Sequence, residues 1–242
     1  MKPPIKNEIA NSFSNRANTY DLHSDIQKES LNNLLSHIYG DFQNILDIGC
    51  GTGCGTALLA ERFPEAKVIG LDVASGMIEK ACEKFSGINF VIGDAEALPF
   101  SNNSFDLIVS NASLQWIDPQ KFFKETSRVL TKDGALFFTT FGPETLIEAK
   151  KIGVNINSFD STPLLQNIGE KYFPHFSIRR EKITKEYKDM INCLKSIKNI
   201  GAGIRKEKSS VQNLAKIRSS LKIKPFYATW DIIIGECRKD GL

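Results

Sequence analysis

The run Asn44-Ile45-Leu46-Asp47-Ile48-Gly49-Cys50-Gly51-Thr52-Gly53 constrains this chain more than any other segment. Its apolar residues read as a short strand, and the alternating glycines end that strand in a turn with exposed backbone. Glycine lacks a Cβ, so the main chain takes positive φ there and lets a ligand come close. A helix predicted from about Cys54 to Phe63 aims its free N–H groups into the same space. Together these features make a nucleotide-type cradle. A dinucleotide fingerprint requires a third glycine three positions after Gly51, but position 54 is Cys. The alternation continues instead at Gly53 and Gly55, which disfavours NAD. Taken alone, such a turn is also compatible with close backbone packing.

The D-x-G-x-G-T-G pattern from Asp47 to Gly53 resembles the first motif of class I S-adenosylmethionine (SAM) dependent methyltransferases, whose turn holds the methionine part of SAM. The resemblance assigns Asp47, Gly49, Cys50, Gly51 and Gly53 to the cofactor. Lys67 to Asp72 is a second apolar strand ending in a carboxylate, nineteen residues after Gly53. In a βαβ unit that tip lies beside the first, where Asp72 can accept from two vicinal ribose hydroxyls. Ser75 reads as the N-cap of a helix with Met77, Ile78, Ala81 and Phe85 at helical spacing. Met77 is either an adenine wall or core filler. A third strand, Ile88 to Ile92, runs into Gly93-Asp94-Ala95. The resemblance implies that Asp94 accepts from the adenine amino group while the Ala95 N–H meets a ring nitrogen. A single loop Asp is otherwise a solvated turn residue.

The chain has 242 residues, 41% of them apolar, enough for a full core and one principal domain. It has no apolar run long enough to span a membrane, and Met1 to Glu8 lacks a signal-peptide apolar region. A soluble, cytoplasmic, monomeric protein is the expectation. Five cysteines without a C-x-x-C pair argue against a disulfide framework or a structural zinc site, and His23, His37 and His175 show no ligand spacing, so no metal is expected. Cys50 reads as a small residue in the cradle rather than a nucleophile.

Ser104 to Asn111 reads as a buried fourth strand, and its tip carries Asn111-Ala112-Ser113-Leu114-Gln115-Trp116. Ligands of open α/β sheets bind beyond such tips. Asp118-Pro119 starts a helix predicted to run to Leu130, with Asp as N-cap, and Gly134 to Phe141 is a fifth strand. Four stretches narrow the resemblance to the biotin-synthesis methyltransferases that convert malonyl-acyl carrier protein (ACP) to its methyl ester. They are Phe13-Ser14-Asn15-Arg16-Ala17-Asn18-Thr19-Tyr20-Asp21 with Gln27, the glycine turn, Ser110 to Trp116, and Phe141-Gly142-Pro143-Glu144-Thr145-Leu146. A fifth, Ile197-Lys198-Asn199-Ile200-Gly201-Ala202, resembles the family's L-K-x-I-G-A segment. A SAM-binding assembly factor of hydroxylase type, or another small-molecule methyltransferase, shares much of this pattern.

The resemblance implies an α/β, Rossmann-like fold: a seven-stranded, mostly parallel sheet in the order 3-2-1-4-5-7-6 with strand seven antiparallel and helices on both faces. It adds Asn111 and Leu114 to the cofactor set and makes Tyr20, Gln115 and Trp116 the wall of the methyl-transfer pocket, with Tyr20 closing from N-terminal lid helices (about 5–40). Arg16 and Lys198 are the candidate cations for the substrate carboxylate, although Arg16 suits SAM's own carboxylate equally. Ser177 to Tyr187 reads as an outer strand pairing with Phe226 to Cys237. A helical insertion (about 188–224) lies between them, with Met190, Ile191, Leu194, Ile197 and Ile200 on one face, as a lid or as core packing.

Charge is divided unevenly. Residues 171–242 hold 17 Lys and Arg against 7 Asp and Glu, whereas residues 1–170 hold 14 against 21. A basic surface of this kind is either a solvated face or a dock for an acidic partner, here ACP carrying malonyl, with malonyl-CoA as the small alternative. No motif for base readout points to nucleic acid.

Overall fold

A computed structural model describes residues 6–200, 202 and 224–239. Strands β1 (Asn44–Ile48), β2 (Lys67–Asp72), β3 (Asn89–Ile92), β4 (Phe105–Ser110) and β5 (Leu130–Phe141) run parallel, and β7 (Phe226–Arg238) pairs antiparallel with both β5 and β6 (His175–Tyr187). The order is β3-β2-β1-β4-β5-β7-β6, as the resemblance implied.

Both faces of the sheet are buried, and the two-residue period of a strand sorts its side chains between two cores. Ile45, Leu107, Val109, Phe137 and Ile232 face one core, which also receives Ile26, Leu31 and Leu34 of helix α3 (Asp25–Leu35). Leu46, Ile48, Ile108, Phe138 and Ile233 face the other, beneath Phe122 and Phe123 of helix α6 (Pro119–Val129). Burying a phenylalanine or isoleucine is worth about 1.5–3 kcal/mol, so this double layer is the main stabilising element.

Three expected boundaries are corrected. Helix α6 ends at Val129, because Leu130 is already extended and pairs with Phe105; residues 131–134 then form an irregularity before pairing resumes at Leu107 and Ala135. Strand β5 therefore begins before Gly134. Helix α5 (Ser75–Lys84) has Ala74 at its cap, not Ser75, and the Ala74 N–H is taken by the Asp72 carboxylate at 2.8 Å. In α9 (Met190–Asn199) the buried side is Met190, Cys193 and Ile197, while Ile191 is 41% exposed. Most of the expected insertion, including Lys206, Lys208, Lys216 and Arg218, lies outside the described residues.

The segments before the sheet form helices α1 (Lys6–Ser14), α2 (Ala17–Tyr20) and α3. The end of α1 is held against α5, where the Gly76 N–H donates to Ser14 Oγ at 3.2 Å. A Cβ on Gly76 would come within 2.8 Å of the Ser14 carbonyl oxygen, so only glycine admits this contact.

Candidate active site

Beyond the carboxyl ends of β1, β2 and β4 an open cleft of about 790 Å3, counted out to the solvent, lies beneath α1 and α2. The glycine turn forms its floor. Gly49 and Cys50 donate to the Leu71 carbonyl at 2.7 and 3.1 Å, which ties the turn to the tip of β2. Gly51 takes φ +54°, and a Cβ built there would meet nothing closer than the Tyr20 ring at 4.0 Å. Its backbone therefore faces open cleft. Gly53 serves a different end: it lines none of the three cavities, and a Cβ there would come within 2.8 Å of the Phe90 ring.

Each acid of the three strand tips has its own setting. Asp72 accepts the Gly51 N–H at 2.9 Å and the Ala74 N–H at 2.8 Å; burial raises its carboxyl pKa, opposed by these bonds. Asp47 is buried and takes the Thr56 hydroxyl at 2.7 Å, and burial, with the Asp72 charge adding to it, pushes its carboxyl up to about 7. Asp94 lines the cleft and accepts the Glu96 N–H at 2.8 Å, while Lys6 of α1 reaches across to Asp94 and Glu96 at 2.5 and 2.7 Å. Met77 and Ala95 line the same end of the cleft, Met77 only 1% exposed.

Two further chambers open from this cleft. One, about 490 Å3, lies over the turn, between Asp47, Cys50 and Thr52 on one side and Asp21 and Lys28 on the other. Asp21 is held by Thr52 Oγ1 at 2.6 Å and Lys84 Nζ at 2.7 Å; these partners outweigh its burial and keep its carboxyl below the ordinary range. The other chamber, about 560 Å3, lies behind Trp116 and is walled by Phe141, Leu146, Phe159 and Trp230. Tyr20 lines all three spaces and stands at their junction. Burial, then the charges of Asp72 and Asp21, raises the pKa of its phenol well above the ordinary range, so it stays neutral. Phe13 packs edge-on against Trp116 with ring centroids 5.6 Å apart, closing the wall between cleft and rear chamber.

The tip of β4 is fixed by side-chain hydrogen bonds. Asn111 Nδ2 donates to the Gln27 carbonyl at 2.9 Å and Asn111 Oδ1 accepts from Thr139 at 2.7 Å, so the sheet tip and α3 are fastened together. Gln115 donates to the Ala112 carbonyl at 2.5 Å and accepts from Thr140 at 2.9 Å.

Several expected site residues lie elsewhere. The Leu114 side chain is 1% exposed and packs in the core under α6. Arg16 stands at the start of α2 and Lys198 is exposed, one step around α9 from the buried Ile197; neither lines any of the three cavities. Sequence reasoning missed Lys6, Lys28, Asn157 and Phe159. Lys6 and Lys28 sit on ordinary amphipathic helices and Asn157 in an irregular loop, so no local pattern marks them.

The cleft fits SAM. The backbone of the turn lines it at Gly49 and Gly51, and it offers carboxylates at two strand tips beside an apolar wall of Met77, Val73 and Ile117. Among the described residues no group of three His, Cys, Asp or Glu is arranged around a metal ion, and no helix is long and apolar enough to cross a membrane.

Comparison with known proteins agrees with this geometry. Residues 46–138 match a family model described as a methyltransferase domain. A malonyl-[acyl-carrier protein] O-methyltransferase of Hahella chejuensis is 32% identical, the match covering 92% of this chain and 88% of the relative. One of Priestia megaterium is 33% identical over 90% of this chain and 89% of the relative. In fold, a SAM-dependent methyltransferase of Thermotoga maritima, 20% identical, superposes with a TM-score of 0.61 over 96% of this chain and all of that one. The chain thus belongs to the malonyl-[acyl-carrier protein] O-methyltransferase family of SAM-dependent class I methyltransferases.

Proposed function

We propose that this protein transfers the methyl group of SAM to the free carboxylate of a malonyl thioester, malonyl-ACP, giving the methyl ester used early in biotin synthesis. One observation carries the reading: the cofactor cleft and an enclosed apolar chamber meet at Phe13, Tyr20, Ala112 and Trp116, so a donor and a small acyl acceptor can face each other across one wall. Similarity over about nine-tenths of the chain to relatives named for malonyl-ACP supports this choice of acceptor.

SAM supplies an electrophilic methyl: a carboxylate oxygen forms the C–O bond as the C–S bond breaks, the electron pair stays on sulfur, and no proton moves. An ionised malonyl carboxylate at neutral pH needs no general base. The chain's contribution is alignment and exclusion of water. Asp72 would hold the ribose hydroxyls, Asp94 and the Ala95 N–H the adenine, and the Gly49-Cys50-Gly51 backbone the methionine part beside Asp47. Lys28, on the rim of the chamber over the turn, is better placed than Arg16 for the methionine carboxylate. Tyr20, Gln115 and Trp116 wall the transfer point.

The test is incubation with methyl-labelled SAM and a panel of malonyl-ACP, malonyl-CoA and free malonate. Label on malonyl-ACP is expected. Tight SAM binding with no label on any of the three would favour a non-methylating SAM-binding protein of the same fold.

A further inference from the structure

Gln27 of α3 is only 9% exposed, yet among the described residues its side-chain amide hydrogen-bonds to none, and neither amide atom is sealed from the cavities. It lines two of them: Gln27 and Tyr20 are the residues shared by the rear chamber and the chamber over the turn. The backbone beneath this side chain is pinned. The Gln27 carbonyl accepts Asn111 Nδ2 at 2.9 Å; one turn on, the Ser30 hydroxyl donates to Thr139 Oγ1 at 3.0 Å, and Thr139 donates to Asn111 Oδ1 at 2.7 Å. The chain thus ties α3 to the tips of β4 and β5 at the residue whose amide it leaves unengaged. A buried amide without a partner costs about 1–3 kcal/mol, so a glutamine held in this state calls for a partner that enters with the substrates. The chamber over the turn already carries Lys28, Asp21 and Asp47 for the charged ends of SAM's methionine part. In the rear chamber Gln115 and Thr145 serve the fold instead: Gln115 has partners at both amide atoms, and the Thr145 hydroxyl donates to the Asp231 carbonyl and accepts the Asp231 N–H, both at 3.2 Å.

We propose that Gln27 is the acceptor-binding residue that orients the malonyl carboxylate toward the SAM methyl, donating an amide N–H to one carboxylate oxygen while the other attacks; this rests on the reading under Proposed function. Neither amide atom is engaged within the fold, so an N–H is available without breaking a hydrogen bond. The position suits the role. Tyr20 stands where the cleft and both chambers meet, and Gln27 shares two of these spaces with it, so an acceptor group that approaches the sulfonium from the rear chamber passes the Gln27 amide. The chemistry of the transfer suits a neutral donor. As the C–O bond forms, the carboxylate gives up its negative charge, so a tightly paired cation would stabilise the starting state more than the transition state, whereas an amide aligns the oxygen with a smaller penalty of that kind. The same bond selects chain length. It is made when one methylene separates the carboxylate from the thioester carbonyl, and a succinyl group carries its carboxylate beyond that register.

The proposal is tested by steady-state kinetics on the full chain with malonyl-ACP and succinyl-ACP, comparing the wild type with Gln27→Met, which keeps the length and volume of the side chain and removes its donor. Calorimetric titration with S-adenosylhomocysteine and the melting temperature are read alongside. Gln27→Met is expected to lower kcat/KM for malonyl-ACP about tenfold, the loss of one hydrogen bond to a charged group, with S-adenosylhomocysteine affinity within about twofold of wild type. The slower reaction of succinyl-ACP should fall less than about twofold, so the preference for malonyl over succinyl narrows, a change that a packing role would not give. If Gln27→Met does not fold, Gln27→Leu, as apolar as its neighbours Ile26 and Leu31, is read for the same two comparisons. Three results would overturn the proposal while leaving malonyl-ACP as the acceptor: malonyl kinetics within twofold of wild type in the folded variant, equal losses for malonyl and succinyl, or a tenfold loss of S-adenosylhomocysteine affinity, which would assign Gln27 to the methionine part. A wild-type protein that binds S-adenosylhomocysteine but methylates neither acyl-ACP overturns the acceptor reading itself, and this proposal with it.

Discussion

Asp72 and Asp47 lie at neighbouring positions in the site and are expected to respond differently to change. Asp72 faces the cleft, and its remaining lone pairs are the ribose acceptors in the proposed complex. Asp72→Ala should weaken S-adenosylhomocysteine binding by about 1.5–3 kcal/mol, roughly 10- to 150-fold in dissociation constant, read by calorimetric titration. An unchanged constant in a folded variant removes the ribose role. For Asp47, burial pushes the folded carboxyl up to about 7. The unfolded chain, with its ordinary value near 4, releases the proton earlier, so the folded state binds more protons between about pH 4 and 7 and its stability falls as pH rises through that window. A cation bound beside Asp47 favours the ionised form. SAM, carrying sulfonium and ammonium charges, should therefore bind about tenfold more tightly at pH 8 than at pH 6, on the order of one pKa unit of coupling. Asp47→Asn should flatten that dependence, and a slope that survives the substitution assigns it to another group.

The elements that carry the cleft were the ones most open to reading from sequence, and the physical reason is local. Strands β1, β2 and β4 are short apolar runs with Asp47, Asp72 and Asn111 at or beside their ends and turn residues next to them, so their positions in the chain follow from pattern, whereas their order in the sheet follows from the resemblance. Ser75 is already the first helical residue: Ala74 holds the cap position without a side-chain cap, its own N–H bound by Asp72, an arrangement that depends on where the β2 tip points. Leu130 was misread because pairing with Phe105 ends α6, and nothing within the helix announces a partner strand. The rear chamber was still less legible, since its walls come from residues far apart in the chain. One of these walls, the loop after β5, is fastened by Asp231 of β7, which is fully buried. Asp231 accepts two bonds from Arg180, at 3.0 and 2.6 Å, and one from the Glu144 N–H at 3.0 Å. Gly142 is required there, because a Cβ would lie 2.3 Å from the Asp231 carboxylate. Asp231→Ala should cost about 3 kcal/mol in urea unfolding, the low end for a broken buried pair since Arg180 is 37% exposed. It should also raise KM for the acyl acceptor more than for SAM; a loss below about 0.5 kcal/mol would show that the loop holds itself.

At the scale of the whole molecule, the acidic first part of the chain builds the SAM cleft, and the basic last part supplies β6, α9 and β7. If the basic part receives ACP, long-range attraction is screened over about 8 Å at physiological salt, and raising ionic strength should slow methylation of malonyl-ACP far more than that of malonyl-CoA. Charge reversal at Lys206, Lys208, Lys216 and Arg218, outside the described residues, should raise KM for malonyl-ACP and leave SAM affinity unchanged; an unaltered KM returns them to a solvated face. The account's central claim is that two cavities meeting at Tyr20 and Trp116 bring a SAM methyl to a malonyl carboxylate. Intact-mass analysis of malonyl-, succinyl- and acetyl-ACP, each incubated with SAM and the protein, tests it most directly. The predicted result is one added methyl on malonyl-ACP, matched by an equal amount of S-adenosylhomocysteine, with slower transfer to succinyl-ACP, whose carboxylate lies one methylene too far, and none to acetyl-ACP. An unmodified malonyl-ACP in the presence of bound SAM, or equal methylation of acetyl-ACP, would contradict it.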